Sequence, residues 1–316
     1  MRSYTLSASA KINLYLEIIG DRPDGYHELA MVMQSVGLAD EVRVRSLNEN
    51  HVAIICHHPD VPLGPENLAC KAAELMRQTF PDAAKKYGGV EITLQKHIPI
   101  GAGLAGGSSN AAAVLVGLDL LWGLGLTQAE LQTLGATLGS DIPFCVVGGT
   151  AIATGRGERI APLPDLDATY VVLAKYGSMA VSTPWAYKSY RAQFSESYVS
   201  DQVSVGDRHR QLHSGPIVAA ITHKDMTQVG ALLHNDLEKV VLPEYPQVQA
   251  LRAALLQHNP LGAMMSGSGP TVFALAETRD HAEAMKKALL SQFPDPDLGI
   301  WVTQMVPSGI QLITDA

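Results

Sequence analysis

Between residues 100 and 114 the chain reads IGAGLAGGSSNAAAV, four glycines and two serines that run straight into alanines and a valine. Glycines let backbone N–H groups come close to a ligand, and a helix start offers unpaired N–H groups at the positive end of its dipole. Such a stretch binds anions, with the Ser108 and Ser109 hydroxyls as additional donors. Gly101, Gly103 and Gly106 also satisfy G-x-G-x-x-G, but the dinucleotide fingerprint needs a strand directly after the crossover helix, and the segment from Thr127 reads as a second helix. A P-loop needs a lysine immediately before the serine, where this chain has Gly107. Close helix packing alone would not call for so many glycines, so a phosphate cradle of another kind remains.

Two further stretches carry chemistry. In KINLYLEI, Ile12, Leu14, Leu16 and Ile18 alternate with Lys11, Asn13, Tyr15 and Glu17, which predicts a half-buried strand with Lys11 and Asn13 on one face. The strand runs into GDRPDGYH, where Pro23, Asp24 and Gly25 supply a turn that delivers Tyr26 and His27. Farther on, GSDIPF places Asp141 between a helix and the strand-like CVVGGTAIATG. His51, Cys56, His57 and His58 lie close together, but no second ligand pair follows at zinc spacing, and the group reads as a polar loop. Cys56, Cys70 and Cys145 contain no CxxC pair, and so sparse a set points to reduced thiols and a cytoplasmic setting.

The elements that must position these residues are legible in outline. Strands are expected over residues 30–36, in EVRVRS and in GVEITLQ, and a helix over ENLACKAAELMRQTF up to Pro81. A helix starts near Ser108, and a second is announced by the Thr127/Glu130 capping box and stopped by Gly139. PLPDLDA, residues 162–168, is the expected domain boundary, dividing the chain into 1–162 and 163–316. Beyond it come the strand YVVLAK, a polar and mobile connection in SESYVSDQVSVGDRHRQLHSG, and helices near 216–234 and 244–258. GAMMSGSGPTVFALAE reads as two short strands around a glycine turn, followed by a helix from about 280 and the strand IWVTQMV. Strands followed by paired helices indicate an α+β first domain, and three strands with helices on one side suit a ferredoxin-like second one. There is no internal repeat.

A chain of 316 residues with 47% hydrophobic and 17% charged residues has the composition of a folded two-domain protein. A net charge of −8 argues against a broad nucleic-acid or anionic-membrane surface, so an anionic small molecule must be held locally. The N-terminal segment has no apolar signal region, and no run has the length of a membrane span.

PIGAGLAGGSSNAA resembles the phosphate-binding motif of the GHMP kinases, and KINLYLEIIGDRPDGYHEL and SGSGPTVFAL resemble two other motifs of that family in the same order. The resemblance implies a ribosomal-protein-S5-like nucleotide domain followed by a ferredoxin-like domain. ATP would lie with its phosphates over Pro99, Ile100, Gly101, Ala102, Gly103, Leu104, Ala105, Gly106, Gly107, Ser108 and Ser109. Mg2+ is implied too, with Ser108 or Ser109 as the readable candidate ligands. The resemblance also gives Asp141 the role of base, with Lys11 beside it.

Among the branches of the family, AKINLYL, RPDGYHEL and GSDIPF together look most like the one that phosphorylates a cytidine diphosphate-linked methylerythritol in the non-mevalonate isoprenoid route. Tyr26 and Tyr187 would then flank the base, His27 would read its edge, and Asn13 and Thr183 would line the phosphate-bearing part. The alternatives are a kinase of the homoserine or mevalonate type, or a catalytically silent nucleotide-binding regulator. The partner expected is a small-molecule substrate, without nucleic acid or membrane, and the oligomeric state stays open. Ala105 stands where this branch commonly has glycine, which tightens the loop if that position needs a positive φ.

Overall fold

The structure, a computed structural model, describes residues 2–166, 168–199 and 201–313. The N-terminal alternation extends well beyond KINLYLEI. β1 (Ser3–Asp21) and β2 (His27–Leu47) form one long antiparallel hairpin, closed by the Pro23–Asp24–Gly25 turn. The segments expected at 30–36 and in EVRVRS are thus one strand. β3 (Val52–Cys56) and β4 (Gly89–Gln95) extend the sheet on one half of β2, and β5 (Thr150–Gly155) and β6 (Arg159–Pro162) on the other. The second sheet has four antiparallel strands rather than three: β7 (Tyr170–Tyr176), then β9 (Gly262–Met265), β10 (Val272–Ala276) and β11 (Leu298–Gln304). Their spatial order, β11-β7-β10-β9, is that of a ferredoxin-like βαββαβ unit. Two segments of the second half join β1 of the first sheet: β8 (His234–Asn235), in parallel, and β12 (Ile310–Ile313) at its edge. The expected boundary therefore falls between β6 and β7, although the last strand returns to the first sheet; Asp167 of that stretch lies outside the described residues.

β1 is not half-buried: both of its faces are covered, and Lys11 and Asn13 are buried along with the apolar residues. Its pairing with β2 shifts register between Ser9 and Ala10, between Asn13 and Tyr15, and between Ile18 and Gly20. These bulges hand the strand from one core to the next. Leu6 and Ala8 pack with the first-domain helices, Ala10, Ile12 and Leu14 with Leu173 and Phe273, and Leu16 and Ile18 with Val172 and Leu251. One extra residue in one strand changes which face its neighbours present.

The first-domain helices are α1 (Leu68–Thr79), capped by Asn67, α2 (Pro81–Tyr87), with proline at its start, α3 (Gly106–Trp122), α4 (Gln128–Ala136) and α5 (Ile142–Val147). The Thr127/Glu130 capping box is present at α4. CVVGG does not begin a strand as expected. Pro143 opens α5 instead, and the strand starts only at Thr150. In the second half lie α6 (Thr183–Phe194), α7 (Gln202–His213), α8 (Pro216–Thr222), α9 (Met226–Ala231), α10 (Glu238–Glu244), α11 (Pro246–Leu256) and α12 (Arg279–Gln292). The expected helix at 216–234 is broken by the Asp225 cap of α9, and Pro246 starts α11 afresh.

The stretch expected as a polar connection contains α7, although Ser200 within it lies outside the described residues. Asp201 caps α7 by accepting from the Ser204 N–H, and the helix buries only Leu212. It is held to the β1–β2 hairpin by Arg208–Glu17 and His209–Glu28 pairs. Among the described residues no helix is long and apolar enough to cross a membrane.

Candidate active site

The glycine run ends as the entry to α3. Ala105 is the residue before the helix, in the left-handed region at φ 57°, ψ 27°, and no side chain caps the helix start. The Ser109 N–H closes the first turn on the Ala105 carbonyl, which leaves the N–H groups of Gly106, Gly107 and Ser108 without an intrahelical partner. They border a cleft of about 830 Å³, the arrangement that receives a phosphate. A left-handed alanine is strained where glycine is not. Ala105→Gly is therefore expected to raise stability by up to about 1 kcal/mol less the small loss of its methyl contacts, read as a higher urea midpoint at unchanged m-value.

The third motif presses against the first. A Cβ on Gly103 would stand 2.4 Å from the Ser266 carbonyl oxygen and 2.9 Å from that of Gly269, so no other residue fits without moving the turn. Ser266 Oγ donates to the Gly103 carbonyl at 3.2 Å, and Asn235 Nδ2 donates to the Met265 and Gly267 carbonyls at 2.8 Å each, tying the turn at residues 266–269 to β8. Thr183 Oγ1, at the start of α6, meets Ser268 Oγ at 2.8 Å.

Opposite α3, β1 presents Lys11, 5% exposed, whose Nζ donates to Asn13 Oδ1 at 2.7 Å and lies 3.6 Å from Asp141 Oδ2. Asp141 is the residue before α5, yet its carboxylate caps no helix N–H. It is one-third exposed, faces Lys11 and lines the cleft.

The far end of the cleft is aromatic. The buried His27 ring lies 5.0 Å from that of Tyr187, tilted 30°, and 6.0 Å edge-on from Tyr198. Its Nε2 has no hydrogen-bond partner, and Asp21 Oδ1 lies 3.5 Å away. Burial, and then the Arg191 charge, hold the His27 pKa below its usual value against the pull of Asp21, so the ring is neutral at pH 7. Burial likewise pushes the Tyr187 phenol up, and it stays protonated. Tyr26 stands on the cleft wall, mostly exposed.

Of the residues singled out in the sequence, Lys11, Asn13, Tyr26, His27, Asp141, Thr183 and Tyr187 line this one cleft together with Pro99–Gly103 and Ala105–Ser108. Leu104 does not; its side chain lies in the core. Ser109 turns inward, and its hydroxyl is spent on the Ser9 carbonyl at 2.7 Å.

Sequence reading missed the support beneath the cradle. Buried Asp40, on β2, accepts from the Lys96 ammonium, the Asn110 amide and the His97 and Ile98 N–H groups, binding β2, the end of β4 and α3 together. It also missed Arg156 and Arg191, both on the cleft wall. Isolated charged residues carry no signal until the fold brings them together.

Among the described residues no cluster of three His, Cys, Asp or Glu side chains could hold a metal by itself. Mg2+ needs no such cage, because it keeps several waters and binds through substrate phosphates and one or two protein oxygens. Ser108, which lines the cleft, fits that requirement, and Ser109, whose hydroxyl is turned inward to the Ser9 carbonyl, does not.

Residues 67–149 match the family described as GHMP kinases N terminal domain, and residues 217–295 match GHMP kinases C terminal. Over 313 residues, 99% of either chain, the sequence is 60% identical to the 4-diphosphocytidyl-2-C-methyl-D-erythritol kinase of Nostoc punctiforme. Over 314 residues, 99% of this chain and 100% of the relative, it is 61% identical to the enzyme of the same name from Acaryochloris marina. A crystal structure of a 4-(cytidine 5′-diphospho)-2C-methyl-D-erythritol kinase superposes with a TM-score of 0.72 at 32% identity, covering 95% of this chain and 98% of its own.

Proposed function

The chain belongs to the GHMP kinases, small-molecule kinases that use ATP, and from that premise we propose that it phosphorylates the 2-hydroxyl of 4-diphosphocytidyl-2-C-methyl-D-erythritol, a step of isoprenoid precursor synthesis. One observation carries the reading. A carboxylate free of capping duty, beside a buried lysine, shares a cleft with the unpaired amides of α3 at one end and an unpartnered, neutral histidine among aromatic rings at the other. A nucleotide phosphate suits the first end and a pyrimidine the second, with the acceptor alcohol between them.

In this mechanism the amides of Gly106, Gly107 and Ser108 hold the ATP phosphates. Asp141 accepts the proton of the acceptor hydroxyl as its oxygen bonds to the γ-phosphorus, the bond to the β-phosphate oxygen breaks and ADP leaves. Lys11, fixed by Asn13, offsets negative charge on the transferred group. Ser108 would contribute to holding Mg2+, which neutralises charge on the phosphates when bound. At the other end neutral His27 offers a lone pair or an N–H to the base edge. Rejection of unlike bases rests on such buried polar groups more than on stacking.

A coupled ADP-release assay tests the substrate. Turnover with the cytidylated polyol and none with homoserine or mevalonate is the expected result, and the reverse pattern removes the proposal. His27 adds a pH signature. Because burial holds its pKa below the usual histidine value, the ring is neutral at neutral and alkaline pH, and cytidine affinity is level there. Affinity changes only at lower pH, as the ring takes up a proton. His27→Gln should abolish that acid limb in a calorimetric titration while leaving ATP binding unchanged.

A further inference from the structure

The lysines and arginines of the cleft wall differ in what neutralises them. Lys11 faces Asp141, Lys96 faces Asp40 and Arg191 faces Asp21; Lys188 makes no ion pair with a described residue, and neither does Arg156. Its guanidinium lies instead over the Tyr26 ring, 4.9 Å from the centroid. The carboxylates nearby are bonded to other groups, although Asp24 feels the Arg156 charge without pairing to it. Glu158 accepts from the Arg156 backbone N–H at 2.6 Å, which folds the β5–β6 turn, and Asp24 binds Arg22 Nε and the Tyr26 N–H at 3.2 Å each. Tyr26, for its part, is 55% exposed, and its phenol makes no hydrogen bond to a described residue. Packing does not fix this ring; the arginine above it is the group that can.

We propose that Arg156 is a positioning residue of the base subsite, stacked on Tyr26 so that an otherwise free ring is held ready to receive the pyrimidine. The inference rests on the reading of the cleft as a cytidine site and deepens it. An aromatic side chain that is already ordered spares the rotamer entropy otherwise lost on binding, and a cation over its face supplies that order. Arg156 comes from the β5–β6 turn and Tyr26 from the β1–β2 turn, so the contact also joins two hairpin tips across the mouth of the cleft.

The test uses the full chain with Arg156→Ala and Arg156→Lys, and two probes, cytidine and cytidine diphosphate. Without ligand, NMR of labelled tyrosines should show one side-chain rotamer for Tyr26 in the parent and averaging in Arg156→Ala. Calorimetry should show cytidine and cytidine diphosphate weakened by the same factor, about three- to thirtyfold, with Arg156→Lys recovering part of it. KM for the cytidylated substrate should rise in step while kcat and KM for ATP stay constant, and Tyr26→Leu should leave Arg156→Ala without further effect. An unchanged Tyr26 rotamer in Arg156→Ala overturns the proposal. So does a loss confined to cytidine diphosphate, which would make Arg156 a diphosphate contact. If the parent binds neither probe, the substrate reading falls, and the ring measurement still judges the role of Arg156.

Discussion

Asp141→Asn is expected to lower kcat by about 10²–10⁴-fold, the range contributed by a positioned general base, while ATP affinity stays within a factor of about two. Asparagine keeps the size of the side chain and its hydrogen bonding to solvent but accepts no proton at neutral pH. A carboxylate that capped α5 would instead cost stability when replaced. Asp141 makes no capping bond, so the loss of stability is confined to its contact with Lys11, whose ammonium keeps its bond to Asn13, and the thermal midpoint should fall only modestly. Single-turnover kinetics with saturating substrate separate the cases: a slow chemical step with intact nucleotide binding supports the base, and full activity in Asp141→Asn removes it. The Lys11 contact at 3.6 Å adds a second arm. Lys11→Met should depress turnover as well, and the double variant should be little worse than the worse single one, because two groups acting on one transition state are not additive.

The parts of this site that were readable in the sequence are those where residue type alone implies a physical demand. Four glycines before a helix imply a close backbone approach, and alternation over residues 11–18 implies a strand that keeps Lys11 and Asn13 together. The bulges of β1 were not readable, because a bulge is a mismatch between two strands. The period of Ile12, Leu14, Leu16 and Ile18 is the same whether they enter one core or two. α7 escaped for a different reason: it buries one leucine and is held by the Arg208–Glu17 ion pair and the contact of His209 with Glu28, so it carries no apolar period to detect. Arg156 and Asp40 escaped because their partners, Tyr26 and Asn110, lie far along the chain, 70 residues away for Asp40 and Asn110.

Asp40 carries the largest expected effect on stability. Its carboxylate is fully buried and collects four donors, among them the Lys96 ammonium, which is itself 4% exposed. Asp40→Ala leaves that charge unpaired in the interior and strands the His97 and Ile98 N–H groups, a change that costs about 3–5 kcal/mol. Against a typical total of about 5–15 kcal/mol, such a loss leaves little margin. The pair itself is not intrinsically worth that much, because most of the cost is the penalty of the orphaned ammonium. Asp40→Ala combined with Lys96→Met should therefore be clearly more stable than Asp40→Ala alone, as read from urea midpoints. The same double variant should still bind ATP more weakly than the parent, since the cleft wall loses the Lys96 charge and Asn110 on α3 loses the anchor that sets the cradle against the sheet. A double variant as unstable as the sum of its singles would show that Asp40 and Lys96 act independently. Unchanged ATP affinity would show that the cradle is held by the glycine loop and the turn at residues 266–269 alone.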